Sequence, residues 1–208
     1  FLTFSTSEVY GKNVECASEE MDMQIGMSDE ARWCYAASKC VCEHLTSSYY
    51  RQYGLPAIII RPFNVFGEHR LGSNAMSKFV ASALMNQNIV LDGDGSQIRA
   101  WCYISDFING ISLALESDCV GECFNIGNPY NVITIHELAQ KIITVTNSKA
   151  QIIISNNSTP DVFRRTLRID KARRLLGYEP VCSLDEGVSA VVNWMSKLES
   201  EILNTFFH

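Results

Sequence analysis

Tyr53-Gly54-Leu55-Pro56-Ala57-Ile58-Ile59-Ile60 ends one kind of structure and begins another. A glycine with a proline two residues on stops a helix. The apolar run that follows lacks polar alternation, as expected of a parallel strand covered on both faces. Upstream, residues 33–53 carry a helical pattern, and Phe1-Leu2-Thr3-Phe4 reads as a buried strand. Between them, residues 12–31 are polar, acidic and punctuated by methionine, which predicts a loop over a site.

Downstream the alternation repeats. A helix is expected over 75–86, a strand at Ile89-Val90-Leu91, a turn at Asp92-Gly93-Asp94-Gly95, a short strand at Trp101-Cys102-Tyr103-Ile104 and a helix over 105–117. Phe124-Asn125-Ile126-Gly127 and Ile152-Ile153-Ile154 predict further strands. Thr134 and Glu137 have the spacing of a capping box. Asp170 to Leu176 reads as a helix stopped by Gly177, with Pro180 beyond, and Ser183 opens a last helix to about Leu203. Strands alternating with helices define an α/β class.

Composition narrows the function. The 208 residues are 47% hydrophobic, enough for a real core, and the net charge of −6 argues against a nucleic-acid partner. A few arginines can still hold a diphosphate. No apolar run approaches the roughly 18 residues of a membrane span. Eight cysteines without a Cys-x-x-Cys pair and four scattered histidines point away from metal ligation. Most of the cysteines are expected to be buried small hydrophobes of a reducing, cytoplasmic compartment.

Tyr35 and Lys39, in Trp33-Cys34-Tyr35-Ala36-Ala37-Ser38-Lys39, stand at i and i+4 on the expected helix and share one face. An ammonium beside a phenol favours the phenolate. Such a tyrosine is suited to moving the proton of a sugar hydroxyl. The pairing follows Ser5-Thr6-Ser7-Glu8-Val9-Tyr10-Gly11 at the end of the first strand.

Together with Arg61-Pro62-Phe63-Asn64-Val65-Phe66-Gly67, Gly93-Asp94-Gly95-Ser96-Gln97-Ile98-Arg99, Tyr103-Ile104-Ser105-Asp106 and Phe124-Asn125-Ile126-Gly127-Asn128, these segments resemble the extended short-chain dehydrogenase/reductase family, in its nucleotide-sugar epimerase/dehydratase branch. The resemblance runs from residue 1 to roughly 195, in the family's order. It implies the C-terminal part of a Rossmann-like doubly wound parallel sheet plus a smaller α/β substrate-binding lobe. Residues 1–64 and about 100–118 would belong to the cofactor lobe, and about 65–99 and 119–208 to the substrate lobe. The family's N-terminal glycine-rich turn for the NAD pyrophosphate has no counterpart in the sequence. The chain therefore reads as the later part of a longer enzyme.

By the same resemblance, Thr6 hydrogen-bonds the substrate hydroxyl, Tyr35 is the acid/base, and Lys39 is its electrostatic partner and a ribose ligand of NAD. Pro62 and Val65 border the nicotinamide. Asn64 and Arg99 meet the sugar diphosphate, Tyr103 and Asp106 position the loop around them, and Arg165 reaches the substrate from the C-terminal lobe, with Arg32 as a further carboxylate or phosphate contact. Ser7 and Glu8 set the subtype, since Ser-Thr-Ser-Glu-Val-Tyr-Gly is most similar to the UDP-glucuronate decarboxylases. The implied reaction is oxidation at C4 and decarboxylation of a UDP-hexuronic acid. A 4,6-dehydratase, a 4-epimerase and a non-catalytic nucleotide-sugar-binding or dimerisation fragment remain open. The helix carrying Tyr35 resembles the family's homodimer helix, and Leu45, Tyr49 and Tyr50 either face a partner or pack inward.

Overall fold

A computed structural model describes residues 1–70, 72, 74–155 and 162–207. Strand β1, Leu2–Phe4, runs into a 3-10 turn at Ser7–Val9, and β2 follows at Val14–Ala17. Helix α1 spans Arg32–Tyr53 and ends on Gly54, whose φ of 67° lies in the left-handed region that glycine enters without strain. Strand β3, Ile58–Pro62, is the apolar run, and its three isoleucines are all buried.

Next come β4 (Val65–Phe66), α2 (Ala75–Leu84), β5 (Ile89–Asp92), β6 (Ile98–Ala100), β7 (Cys102–Tyr103) and α3 (Ile104–Glu116). Strands β8 (Cys123–Ile126) and β9 (Val132–Thr134) lead into α4 (Ile135–Thr146), which carries the capping box of Thr134 and Glu137. The chain closes with β10 (Ile152–Ser155), β11 (Arg164–Leu167), α5 (Asp170–Leu176), α6 (Leu184–Met195) and α7 (Ser200–Asn204).

Parallel pairing sets where the site can form. Strands β1, β3 and β8 make one parallel sheet, with Phe4 opposite Ile60 and Ile60 opposite Phe124. Because β1 and β3 point the same way, the loops carrying Thr6 and Asn64 leave from one edge. Such an edge is where open α/β sheets bind ligands. A second sheet, ordered β2-β11-β6-β9, sets Arg165 opposite Val14 on one side and Arg99 on the other.

Two cores result. Phe66, Phe79, Leu138, Val188 and Phe206 belong to one; Tyr10, Ile60, Phe63, Phe124, Leu167 and Tyr178 belong to the other. The second core draws Phe124, Ile126 and the segment from Leu167 to Tyr178 into the body built on β3. Strand β8 joins that body directly, hydrogen-bonded to β3.

Three local expectations change. The loop at 12–31 contains β2, whose parallel partner β11 lies about 150 residues away in the chain. The last helix breaks after Met195 and turns, which lets Leu203 and Phe206 reach the core. Of the cysteines only Cys40 and Cys102 are buried; Cys16, Cys34 and Cys42 are exposed, the latter two on the outer face of α1, and Cys119, Cys123 and Cys182 lie between. Among the described residues no helix is long and apolar enough to cross a membrane.

Candidate active site

Thr6 caps the 3-10 turn, its Oγ1 accepting from the Glu8 backbone N–H at 3.2 Å. That turn buries Ser7 and holds Glu8 at the edge of the sheet. Tyr35 stands in the first turn of α1, 51% exposed, with the Lys39 ammonium 5.8 Å from its ring centre. Lys39 Nζ donates to the Phe4 carbonyl at 2.8 Å, which ties the helix to the end of β1. The i, i+4 geometry thus brings the phenol and the ammonium together, beside the Thr6 loop.

Thr6, Ser7, Glu8, Arg32, Tyr35 and Lys39 line one cavity of about 810 Å³, with Pro62, Asn64 and Val65 in its wall. A second cavity, about 710 Å³, is lined by Arg99, Lys78 and Gln97. Asn64 and Arg70 line both, so the two cavities adjoin across them. The Asn64 amide donates to the Ala100 carbonyl at 2.9 Å, an anchoring role in this structure, and its backbone is left-handed at φ 36°. Arg99 Nη1 donates to the Ile98 carbonyl at 2.9 Å.

Electrostatically the first cavity is organised around Glu8. Arg165 reaches it through two nitrogens, Nη1 to Oε1 and Nη2 to Oε2, the latter at 3.0 Å. Arg32 Nη2 donates to the same Oε2 at 3.2 Å. Burial pushes the Glu8 carboxyl upward, but the hydrogen bonds and charge of Arg165, with Arg32 behind them, outweigh it and hold it below the usual carboxylate range. Arg165 is 2% exposed and sits behind Glu8, outside the described lining of either cavity. Its second anchor is the Gly11 carbonyl at 3.2 Å.

Asp106 accepts the backbone N–H groups of Val181 and Cys182 at 3.1 and 3.0 Å, and Tyr103 donates to Glu68 at 2.7 Å. Sequence reasoning missed Glu68, Arg70 and Lys78. They lie in a stretch without a motif, and only proximity to Gly67 would have flagged it.

A parallel strand edge carrying a threonine loop, a Tyr/Lys helix and two adjoining cation-lined cavities defines a Rossmann-like α/β protein. The NAD dependent epimerase/dehydratase family matches residues 1–127. The chain belongs to that family.

Among similar curated proteins, UDP-N-acetyl-alpha-D-glucosaminuronate decarboxylase of Bacillus cytotoxicus is 30% identical over 95% of this chain and 64% of its own length. UDP-glucuronic acid decarboxylase 1 of Arabidopsis thaliana is 35% identical over 98% of the chain and 46% of its own length. Among solved structures, UDP-glucuronic acid 4-epimerase of Bacillus cereus, in complex with UDP-glucuronic acid and NAD, superposes with a TM-score of 0.86 at 28% identity, covering 96% of this chain and 62% of that one. The chain therefore spans between 46% and 64% of the length of these relatives.

Proposed function

We propose that this chain carries the acid–base and substrate-binding machinery of an NAD-dependent lyase that oxidises C4 of a UDP-hexuronic acid, such as UDP-glucuronate, and decarboxylates it. The observation that carries this reading is the meeting of Tyr35, Lys39 and Thr6 with the Glu8–Arg165–Arg32 cluster at one cavity. All three relatives described above are named for UDP-uronic acids, which supports the substrate class.

Tyr35 takes the proton of the C4 hydroxyl, with the Thr6 hydroxyl bonded to the same oxygen and the Lys39 ammonium beside the Tyr35 ring. Pro62 and Val65 on one wall, and the Lys39 and Tyr35 donors nearby, fit the nicotinamide ribose of NAD. NAD bound there would supply the hydride acceptor for C4. The 4-ketone makes the sugar a β-keto acid. When its C5–carboxylate bond breaks, carbon dioxide leaves and the electron pair passes into the ketone as an enolate. Glu8 and Ser7 then govern the proton that C5 receives.

A uronate carboxylate entering this cavity meets Arg32 directly and reaches Arg165 only by displacing Glu8. The diphosphate lies at the junction of the two cavities, within reach of Arg70, Asn64 and Arg99. Two copies of the protein pair through α1. Val41, Leu45 and Tyr49, at i, i+4 and i+8, are each more than half exposed, whereas the ring of Tyr50, 37% exposed, lies against Gly121.

The test is product mass after incubating the purified full-length protein with NAD and UDP-glucuronate. A product lighter by carbon dioxide is expected, and Tyr35→Phe should lower kcat by about 10²- to 10⁴-fold. Loss of water instead would mean a dehydratase, and an isomer of unchanged mass an epimerase; either overturns decarboxylation.

A further inference from the structure

Beneath the Tyr35 cavity lies a buried ionic cluster that the proposed chemistry does not use. Glu43 stands one helical turn beyond Lys39 on α1 but faces inward, 3% exposed, and Arg61 on β3 is 4% exposed. Arg61 donates from Nε to Glu43 Oε1 at 2.9 Å and from Nη2 to Oε2 at 2.7 Å. This two-point pairing fixes direction as well as distance. Ser5 Oγ donates to the same Oε1. From Arg61 the network continues: Nη1 donates to Tyr10 Oη at 2.7 Å, which donates to Asn125 Oδ1 at 2.8 Å. The Asn125 amide nitrogen donates in turn to the Ala17 carbonyl on β2 at 3.0 Å.

Stability alone does not explain such a pair. Burying two charges costs desolvation, and well-packed apolar side chains of similar volume often serve as well or better. What the ionic pair adds is geometry. Each member sits next to a residue of the site: Ser5 precedes Thr6, Glu43 follows Lys39 on the same helix, and Arg61 precedes Pro62 and Asn64.

We infer that Glu43 and Arg61, with Ser5, form a positioning bracket that holds the Tyr35 and Lys39 helix in register with the Thr6 loop and the Pro62–Asn64 wall. The inference rests on the functional reading above for its consequence in catalysis. Its structural content stands apart from which nucleotide sugar is the substrate. Tyr10 and Asn125 extend the bracket to β2, and β2 pairs with the strand that carries Arg165.

The test uses the full-length protein with the double variant Glu43→Leu/Arg61→Met, which removes both charges and leaves neither unpaired. Its thermal transition should stay cooperative. Because misplacing reacting groups by about 1 Å costs on the order of 100-fold, kcat should fall by about that factor while KM stays within about threefold. Glu179→Gln, which breaks the exposed pair of Arg173 and Glu179 outside the cluster, should leave kcat unchanged.

A second readout needs no substrate. Amide hydrogen exchange should quicken in residues 4–11 and 32–40 of the double variant, with α4 and α6 as in the wild type. Glu43→Gln should give the same local pattern and serves if the double variant does not fold. A double variant with kcat within about threefold of wild type would overturn the inference, as would exchange that rises everywhere or nowhere. If the wild type converts no nucleotide sugar, the functional reading fails, and the exchange pattern alone decides the bracket.

Discussion

Glu8 has a carboxylate whose ionisation is tied to two arginines, so its pH dependence has a definite sign. Its folded pKa lies below that of a free glutamate, about 4.3. Through that window the unfolded chain binds more protons than the folded one, so stability rises with pH. The contribution is complete above the unfolded value and is lost as pH falls through the folded one. Glu8→Gln leaves the buried Arg165 guanidinium without its counter-charge and should cost about 2 kcal/mol at neutral pH. The thermal midpoints of wild type and variant should converge as pH drops from about 7 to about 3, which thermal denaturation across pH would measure. A gap that is independent of pH would mean that Glu8 acts through packing alone.

At the scale of elements, caps are the most separable contributions. Ser183 accepts from the Glu186 N–H at 3.3 Å while the Glu186 carboxylate takes the Ser183 N–H at 2.9 Å. Ser183→Ala should destabilise the protein by about 1 kcal/mol, read as a lowered thermal midpoint, and leave kcat and KM unchanged. Elements specified by neighbours in sequence were legible in advance. The stop at Gly54, the isoleucine strand, the box at Thr134 and the Tyr35–Lys39 spacing each depend on residues within one or two turns. Strand β2 was not legible, because Val14 and Ala17 gain their pattern only from pairing with Arg165 and Leu167. For the same reason the pairing of Arg165 with Glu8 was not legible in the sequence. No local periodicity encodes a contact between the two ends of a chain.

At the scale of the whole molecule, two of the exposed apolar regions bear on association. Phe1 and Phe4 are exposed at β1, which forms the edge of its sheet, and Val41, Leu45 and Tyr49 project from α1. An open strand edge and a side-chain stripe of this kind both favour association. The 208-residue polypeptide, produced by itself, should sediment as a dimer or larger species at micromolar concentration, checked by sedimentation velocity. Leu45→Glu with Tyr49→Lys should shift it toward the monomer if α1 is the contact. An unshifted distribution would assign the association to the β1 edge.

The pairing of Glu8 with Arg165 spans 157 residues of chain. At ribosomal speeds of about 5–20 residues per second, Glu8 emerges on the order of ten seconds before its arginine exists. During synthesis the Thr6 turn and the tyrosine helix can settle, yet the charge cluster opposite them stays open until β11 arrives between β2 and β6. Completion of the charge cluster is therefore a late event in the life of each molecule, and a nascent chain that stalls before residue 165 carries its tyrosine and lysine beside a Glu8 that still lacks its buried guanidinium.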